Sequence, residues 1–127
     1  MAAPFSQDYP AHATAPYQFQ PLGCAQLAIT TTAQNLGQLL TTAAAASPVT
    51  AKFTSVPTGA RMAAIVVETA SVRWTDDGTA PTSSYGMLMT TTLMPMTGGP
   101  SIYSGDLSTI QFIAVSGSPV LDVAFYK

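Results

Sequence analysis

Charge is what this sequence has least of. Acidic and basic residues make up 8% of its 127 residues and leave a net charge of −2, whereas about 25% charged residues is typical of soluble domains. The basic residues are spread along the chain, at Lys52, Arg61, Arg73 and Lys127. Because nucleic-acid binding needs a clustered positive surface, we expect no nucleic-acid partner. A surface with so little charge suits a subunit of a larger assembly better than a free solute.

Cysteine and histidine are almost absent. A single cysteine, Cys24, excludes an internal disulfide and leaves the redox compartment open; we expect it to be a small buried apolar residue. The single histidine, His12, lies in a proline-rich segment and lacks the rigid neighbours of a catalytic base. Zinc sites need several such ligands at fixed spacing. We therefore expect no metal, no cofactor and no enzymatic activity.

Long hydrophobic runs are also missing, although 47% of the residues are hydrophobic. The longest apolar run, around residues 62–67, has the length of a strand and falls well short of the ~18 residues of a membrane span. The N-terminus has neither a basic region nor an apolar core, so no secretory signal is expected. We expect no membrane partner, and the length corresponds to one domain.

Residues 1–22 differ from the rest because they are rich in proline and aromatics and hold one charged residue, Asp8. No period typical of a helix or strand is sustained, which predicts an extended N-terminal arm. A disordered tail is one interpretation. The other is an arm that lies on a neighbouring subunit, since aromatic side chains anchor interfaces. The candidate partner-binding residues are then Phe5, Tyr9, Tyr17 and Phe19.

Residues 23–127 alternate between short strand patterns and turn sequences, which predicts a single antiparallel β-sandwich, jelly-roll-like or immunoglobulin-like. In the last strand, residues 120–126, alternation places Leu121, Val123 and Phe125 on one face. We expect this strand to pair with the one before it, residues 109–115, across the turn sequence "SGSP". For residues 34–48, a short helix and an irregular connection both remain open.

The densest group of special residues is "VRWTDDGTAPTSSYGMLM", residues 72–89. Strand alternation places Trp74 beside Val72 and turns Arg73 to the opposite face. Asp76 and Asp77 suggest calcium, but the spacing of a calcium loop is missing, and Asp77-Gly78 is typical of a tight turn.

Four methionines alternate, at Met87, Met89, Met94 and Met96. On a strand the two members of each alternating pair, Met87 with Met89 and Met94 with Met96, would share one face. Filling of the core and adaptable packing against a partner subunit both remain open.

Several motifs follow one another along residues 57–127. The first group is Arg73, "DDGT" at 76–79, "PT" at 81–82 and "GM" at 86–87. The second group is Tyr103, Leu107, Ile110 and "FI" at 112–113, and the strand from Leu121 to Tyr126 comes last. Together with "PTGA" at 57–60, they resemble a family of small virion proteins of tailed bacteriophages. The resemblance implies a β-sandwich with a structural place in the virion and no reaction.

On this resemblance the loop residues Arg73, Trp74, Asp76, Asp77, Gly78 and Pro81 are a structural signature of the fold. Arg73 would pair with an acid across strands, and Trp74 would fill the core beside Val72. Residues 1–22 and the alanine-rich residues 43–46 depart from the family pattern.

The resemblance leads first to a capsid decoration, or cement, protein on the outer surface of the capsid. It would be a dimer or trimer whose partners are the major capsid protein or other virion subunits. The alternative is a tail, collar or head-fibre component with a host- or glycan-binding role, in which Tyr85 and Tyr103 could stack on sugars. A hydrolase acting on host glycans has only generic carboxylates to support it, since nothing marks a facing pair.

Overall fold

The computed structural model describes residues 19–46, 51–91 and 100–127. It confirms the predicted all-β sandwich, with one short helix added. The elements are β1 (Pro21–Ala28), β2 (Gln34–Asn35), α1 (Leu36–Ala46), β3 (Met62–Glu68), β4 (Val72–Thr75), β5 (Met87–Met89), β6 (Ser101–Tyr103), β7 (Gln111–Ala114) and β8 (Val120–Tyr126). Phe5, Tyr9, His12, Tyr17, Met94 and Met96 lie outside the described residues.

The strands form two antiparallel four-stranded sheets. The first sheet has the order β1-β8-β3-β6, and the second has the order β2-β7-β4-β5. β8 is central in the first sheet, where Ala124 pairs with Cys24 on one side and Ala64 on the other. β1 begins at Pro21, two residues before the expected start of the sandwich at Gly23.

The expected pairing of the last two strands is wrong, because β7 belongs to the second sheet and β8 to the first. The connection between them contains Gly117, which has a positive φ of 66°, and the buried Pro119. Ile29 donates its N–H to the Pro119 carbonyl at 3.0 Å. The turn therefore carries the chain across the sandwich instead of folding it back within one sheet.

The core lies between the two sheets. Leu121, Val123 and Phe125 are buried on the inner face of β8, as the alternation predicts. They are joined in one cluster by Phe112 of β7 and Val72 of β4. Burial of a side chain of this size stabilises the fold by about 1.5–3 kcal/mol, so this two-sided cluster holds the sheets together.

The helix α1 answers the question left open by the sequence for residues 36–46. Asn35 Oδ1 accepts the N–H of Gln38 at 2.8 Å, and Gln38 Oε1 accepts the N–H of Asn35 at 2.9 Å. This reciprocal pair is a capping box, which satisfies free N–H groups at a helix start. The helix buries Leu36, Leu39 and Leu40 and packs against β1.

Candidate functional site

The connection from β4 to β5, residues 76–86, is a tightly bonded loop. Asp77 Oδ1 accepts the N–H of Thr79 at 3.0 Å, and Gly78 has a φ of 89°. The buried Thr75 hydroxyl donates to the Thr79 carbonyl. The turn predicted at Asp77-Gly78 is therefore confirmed, and its hydrogen bonds fix the first half of the loop, residues 76–79.

The second half of this loop is a small hairpin. Thr82 and Tyr85 exchange two backbone hydrogen bonds, of 2.9 and 3.2 Å. Arg73 holds the hairpin from behind, since its Nε donates to the Ser83 carbonyl at 3.1 Å and its Nη1 to the Gly86 carbonyl at 2.9 Å. The expectation that Arg73 pairs with an acid is thus wrong, because the returning chain places carbonyl groups within its reach.

Trp74 joins the two sheets through an aromatic contact. Its ring centroid lies 5.9 Å from that of Tyr103 on β6, at an interplanar angle of 69°. This edge-to-face geometry is favourable for aromatic pairs. Trp74 is half-buried and packs against the core cluster, so it fills only part of the place expected beside Val72.

The Tyr103 hydroxyl lies between two acidic residues. It lies 3.0 Å from Asp76 Oδ2 and 3.4 Å from the Asp106 carbonyl oxygen. The pKa of Tyr103 is raised to about 12, mainly because the hydroxyl group is partly buried and, to a smaller extent, because it is hydrogen-bonded to Asp76. Tyr103 therefore stays protonated at neutral pH and donates to the Asp76 carboxylate.

Asp106 holds a second turn through its side chain. Its Oδ1 accepts from the hydroxyl and the backbone N–H of Ser108, at 2.6 and 2.9 Å. These two hydrogen bonds lower the pKa of Asp106, because they stabilise the ionised form. The carboxylate is thereby used within its own turn and has a structural role.

A groove of about 600 Å³ opens between the residue 76–86 loop and β4. We call it the Trp74 groove. Its lining residues are Trp74, Thr75, Asp76, Asp77, Ser84, Tyr85, Gly86 and Met87. Tyr85 is 52% exposed and Met87 is 60% exposed. The core-filling interpretation is therefore wrong for Met87, which lies on the exposed part of β5.

The second candidate surface is the outer face of the first sheet. Its members alternate with core residues along β1, β3, β6 and β8: Cys24, Gln26, Ala28, Met62, Ala64, Val66, Glu68, Ile102, Val120, Asp122, Ala124 and Tyr126. A hollow of about 370 Å³ lies on this face. Cys24 is exposed here, so the expectation of burial is wrong; Ala25 and Leu27 take the inward positions of β1.

One carboxyl pair lies at this face. Asp122 raises the pKa of Glu68, first through a side-chain hydrogen bond and then through its negative charge. Asp122 Oδ1 is buried and has no hydrogen-bond partner among the described residues. A buried acceptor without a donor is unfavourable.

The structure brings together only some of the predicted site residues. Trp74, Asp76 and Asp77 converge on the groove, whereas Arg73 supports the hairpin from the other face of β4. Pro81 is buried beneath the hairpin, 3.3 Å from where a Cβ on Gly86 would lie. Phe19, the one described aromatic residue of the arm, is 51% exposed.

The sequence did not predict Ser84 and Met87 as groove residues. Both come close to Trp74 only because the hairpin brings the chain back toward β4, and no local pattern indicates that path. Among residues 19–46, 51–91 and 100–127, no group of three or more His, Cys, Asp and Glu side chains could hold a metal ion. No helix in the described part of the chain is long and apolar enough to cross a membrane.

The chain matches no family model, no curated protein and no solved structure.

Proposed function

We propose that the protein is a capsid decoration protein that binds the outer surface of a bacteriophage shell and bridges neighbouring capsid subunits as a dimer or trimer. The observation that carries this proposal is the apolar outer face of the first sheet. Sandwich sheets that face water usually carry polar residues on the outer side. Here alanine, valine and an exposed isoleucine, Ile102, alternate with the core residues.

The few polar groups of this face also favour a protein partner. Gln26 and Asp122 are directly opposite each other in the strand register, and Glu68 lies at the end of the neighbouring strand β3. Interface centres are depleted in charged residues, so a face with so few of them suits contact with a capsid subunit.

The N-terminal arm is the second contact we assign to this function. Gln20 and Lys127 exchange backbone hydrogen bonds of 2.9 and 3.0 Å, which ties Gln20 to the end of the first sheet. From there, 18 residues of chain could extend about 60 Å. That reach is enough for Phe5, Tyr9 and Tyr17 to contact an adjacent subunit.

A matched pair of exposed aliphatic residues tests the proposal. Ile102, on the outer face of the first sheet, is 58% exposed, and Leu88, on the second sheet, is 51% exposed. Ile102→Asp should abolish co-sedimentation with shells that lack the protein, whereas Leu88→Asp should bind as the unmodified chain does. Equal binding of both variants would refute the assigned surface.

Copy number separates this function from the second candidate, a tail, collar or head-fibre component with a host- or glycan-binding role. The Trp74 groove favours that candidate, because exposed aromatic and carboxylate groups converge there. Quantitative mass spectrometry of purified virions should give a fixed ratio to the major capsid protein for a decoration protein. A few copies per virion would favour the second candidate instead.

A further inference from the structure

We propose that the Trp74 groove binds a neutral saccharide. The C–H face of a pyranose ring would pack on Tyr85 and Met87, and its hydroxyl groups would donate to Asp76 and Asp77. The inference deepens the second candidate function, on whose groove it rests, by naming the ligand. It is independent of shell binding through the outer face of the first sheet, which is formed by other strands.

The apolar part of the groove has the size and composition of a small-molecule site. Its volume of about 600 Å³ falls within the ~300–1,000 Å³ common for ligand pockets. Trp74 contributes a half-buried ring, and Tyr85 and Met87 are more than half exposed. Exposed aromatic surface beside polar groups suits a ligand with one apolar face and a polar rim, as a pyranose ring has.

The polar part presents hydrogen-bond acceptors that the protein leaves free. Asp76 uses Oδ2 to accept from Tyr103, and Asp77 uses Oδ1 to accept from Thr79. The other oxygen of each carboxylate accepts no hydrogen bond from the described residues. Adjacent sugar hydroxyls are paired donors, and hydrogen bonds to ionised acceptors are the stronger ones.

The groove is held in shape before any ligand arrives. Tyr103 anchors Asp76 from the first sheet, and the Asp77-Gly78 turn fixes Asp77. Arg73 holds the hairpin that carries Ser84 and Tyr85 through two hydrogen bonds to its backbone. Groups that are already ordered lose less conformational freedom on binding, which favours recognition of a small ligand.

Charge and exposure select a neutral ligand. The groove lining contains two carboxylates and no basic side chain, and Arg73 directs its donors at backbone carbonyls; an acidic sugar is therefore repelled. Asp76 and Asp77 are exposed to solvent, so their attraction for a cation is screened by water and salt. The affinity for a ligand then depends on its apolar contact with the groove and on its hydroxyl groups, which donate to the two carboxylates.

The chain's single tryptophan makes the test direct, since Trp74 lies in the groove. The protein would first be screened on an array of neutral glycans. Methyl glycosides of the monosaccharides found there would then be titrated against Trp74 fluorescence. We expect a saturable change that EDTA does not alter. Glucuronic acid, the anionic probe, should bind more weakly than the neutral sugar, and glucosamine, the cationic probe, should not bind more tightly than the neutral sugar.

Three variants locate the binding. Asp77→Asn keeps an oxygen for Thr79 but turns the free acceptor into a donor, and Tyr85→Ala removes the exposed ring while its backbone pairing remains. Each should raise Kd about tenfold or more, as loss of a charged hydrogen bond or an aromatic contact does. Asp106→Asn is the matched control, because this exposed carboxylate lies in its own turn outside the groove; its Kd should be unchanged.

The inference is overturned if no neutral glycan binds, if glucosamine binds best, if EDTA abolishes binding, or if Asp77→Asn and Tyr85→Ala leave Kd unchanged. Circular dichroism of each variant shows whether it is folded. A negative glycan result leaves shell binding untouched, because the Ile102→Asp and Leu88→Asp comparison reports on a different surface.

Discussion

Two glycines of the residue 76–86 loop have left-handed backbones in different surroundings. Gly78 has a φ of 89° and Gly86 a φ of 126°, so alanine is strained at both. A Cβ at Gly78 would meet nothing within 4 Å, whereas one at Gly86 would lie 3.0 Å from the Trp74 carbonyl oxygen. The two positions therefore separate backbone strain from close packing.

We predict that Gly86→Ala destabilises the protein by about 2–4 kcal/mol and Gly78→Ala by about 1–2 kcal/mol, because strain acts at both positions and crowding only at Gly86. Urea denaturation followed by Trp74 fluorescence measures both free energies of unfolding. Equal losses for the two variants would show that the contact of Gly86 with the Trp74 backbone is unimportant.

The carboxyl pair at the edge of the outer face gives a prediction about pH. Because Asp122 raises the pKa of Glu68 above 4.5, the folded state binds the Glu68 proton more tightly than the unfolded state does. The stability that Glu68 contributes is thus full below pH 4.5 and is lost as pH rises through the folded value. Asp122→Asn removes the hydrogen bond and the charge that cause this shift.

Asp122→Asn should therefore melt higher than the unmodified protein at neutral pH, and this difference should shrink as pH falls toward 4.5. Thermal unfolding over a series of pH values measures it. Glu68→Gln should give the same pattern, and Asp106→Asn, which touches neither residue, should not. A constant difference between Asp122→Asn and the unmodified chain at all pH values would rule out a raised pKa of Glu68 as the cause.

Single residues also show what the sequence could predict. The Asp77-Gly78 turn was predictable because its hydrogen bond to Thr79 spans two residues. The partners of Arg73 were not, since they lie ten and thirteen residues away on a returning hairpin. Cys24 was misplaced because a strand with several small residues does not reveal which face is buried.

At the scale of elements, the long strands β3 and β8 were predictable from their patterns, and their sheet partners were not. Alternation fixes which side chains share a face, but whether the next strand joins the same sheet depends on the turn. The capping box of Asn35 and Gln38 was present in the sequence as a signal for α1, and residues 34–48 were still left open. For the Trp74 groove, the sequence predicted the loop at residues 76–86 but not the groove that this loop forms with β4.

The hairpin at residues 82–85 gives the prediction for an element. Arg73→Lys should destabilise the protein by about 1–2 kcal/mol, because one ammonium group cannot replace two hydrogen bonds made by a planar guanidinium. Amide exchange at Tyr85, whose N–H is bonded to Thr82, should accelerate.

Arg61→Lys is the control for this change, since the Arg61 side chain makes no hydrogen bond with the described residues. If exchange at Tyr85 were the same in both variants, the hairpin would be held by its own backbone bonds and not by Arg73.

At the scale of the whole molecule, the buried core lies between Ala25 and Phe125 among the described residues. Deletion of residues 1–18 should therefore leave the free energy of unfolding unchanged within about 0.5 kcal/mol, and it keeps the pair between Gln20 and Lys127. Chemical denaturation of the truncated and full chains measures this. A large loss would mean that the arm packs on its own sandwich, against the interface role proposed for it.

The position of β8 also sets the order in which the molecule can form. It is the last strand in the sequence, yet it lies between β1 and β3 and pairs residues about one hundred positions apart, such as Cys24 and Ala124. Contacts this distant make folding slow, because a long loop must close before they form. During synthesis, the edges of β1 and β3 that pair with β8 therefore stay unpaired until residues 120–126 have been made. In that interval the nascent chain is exposed to aggregation through those edges.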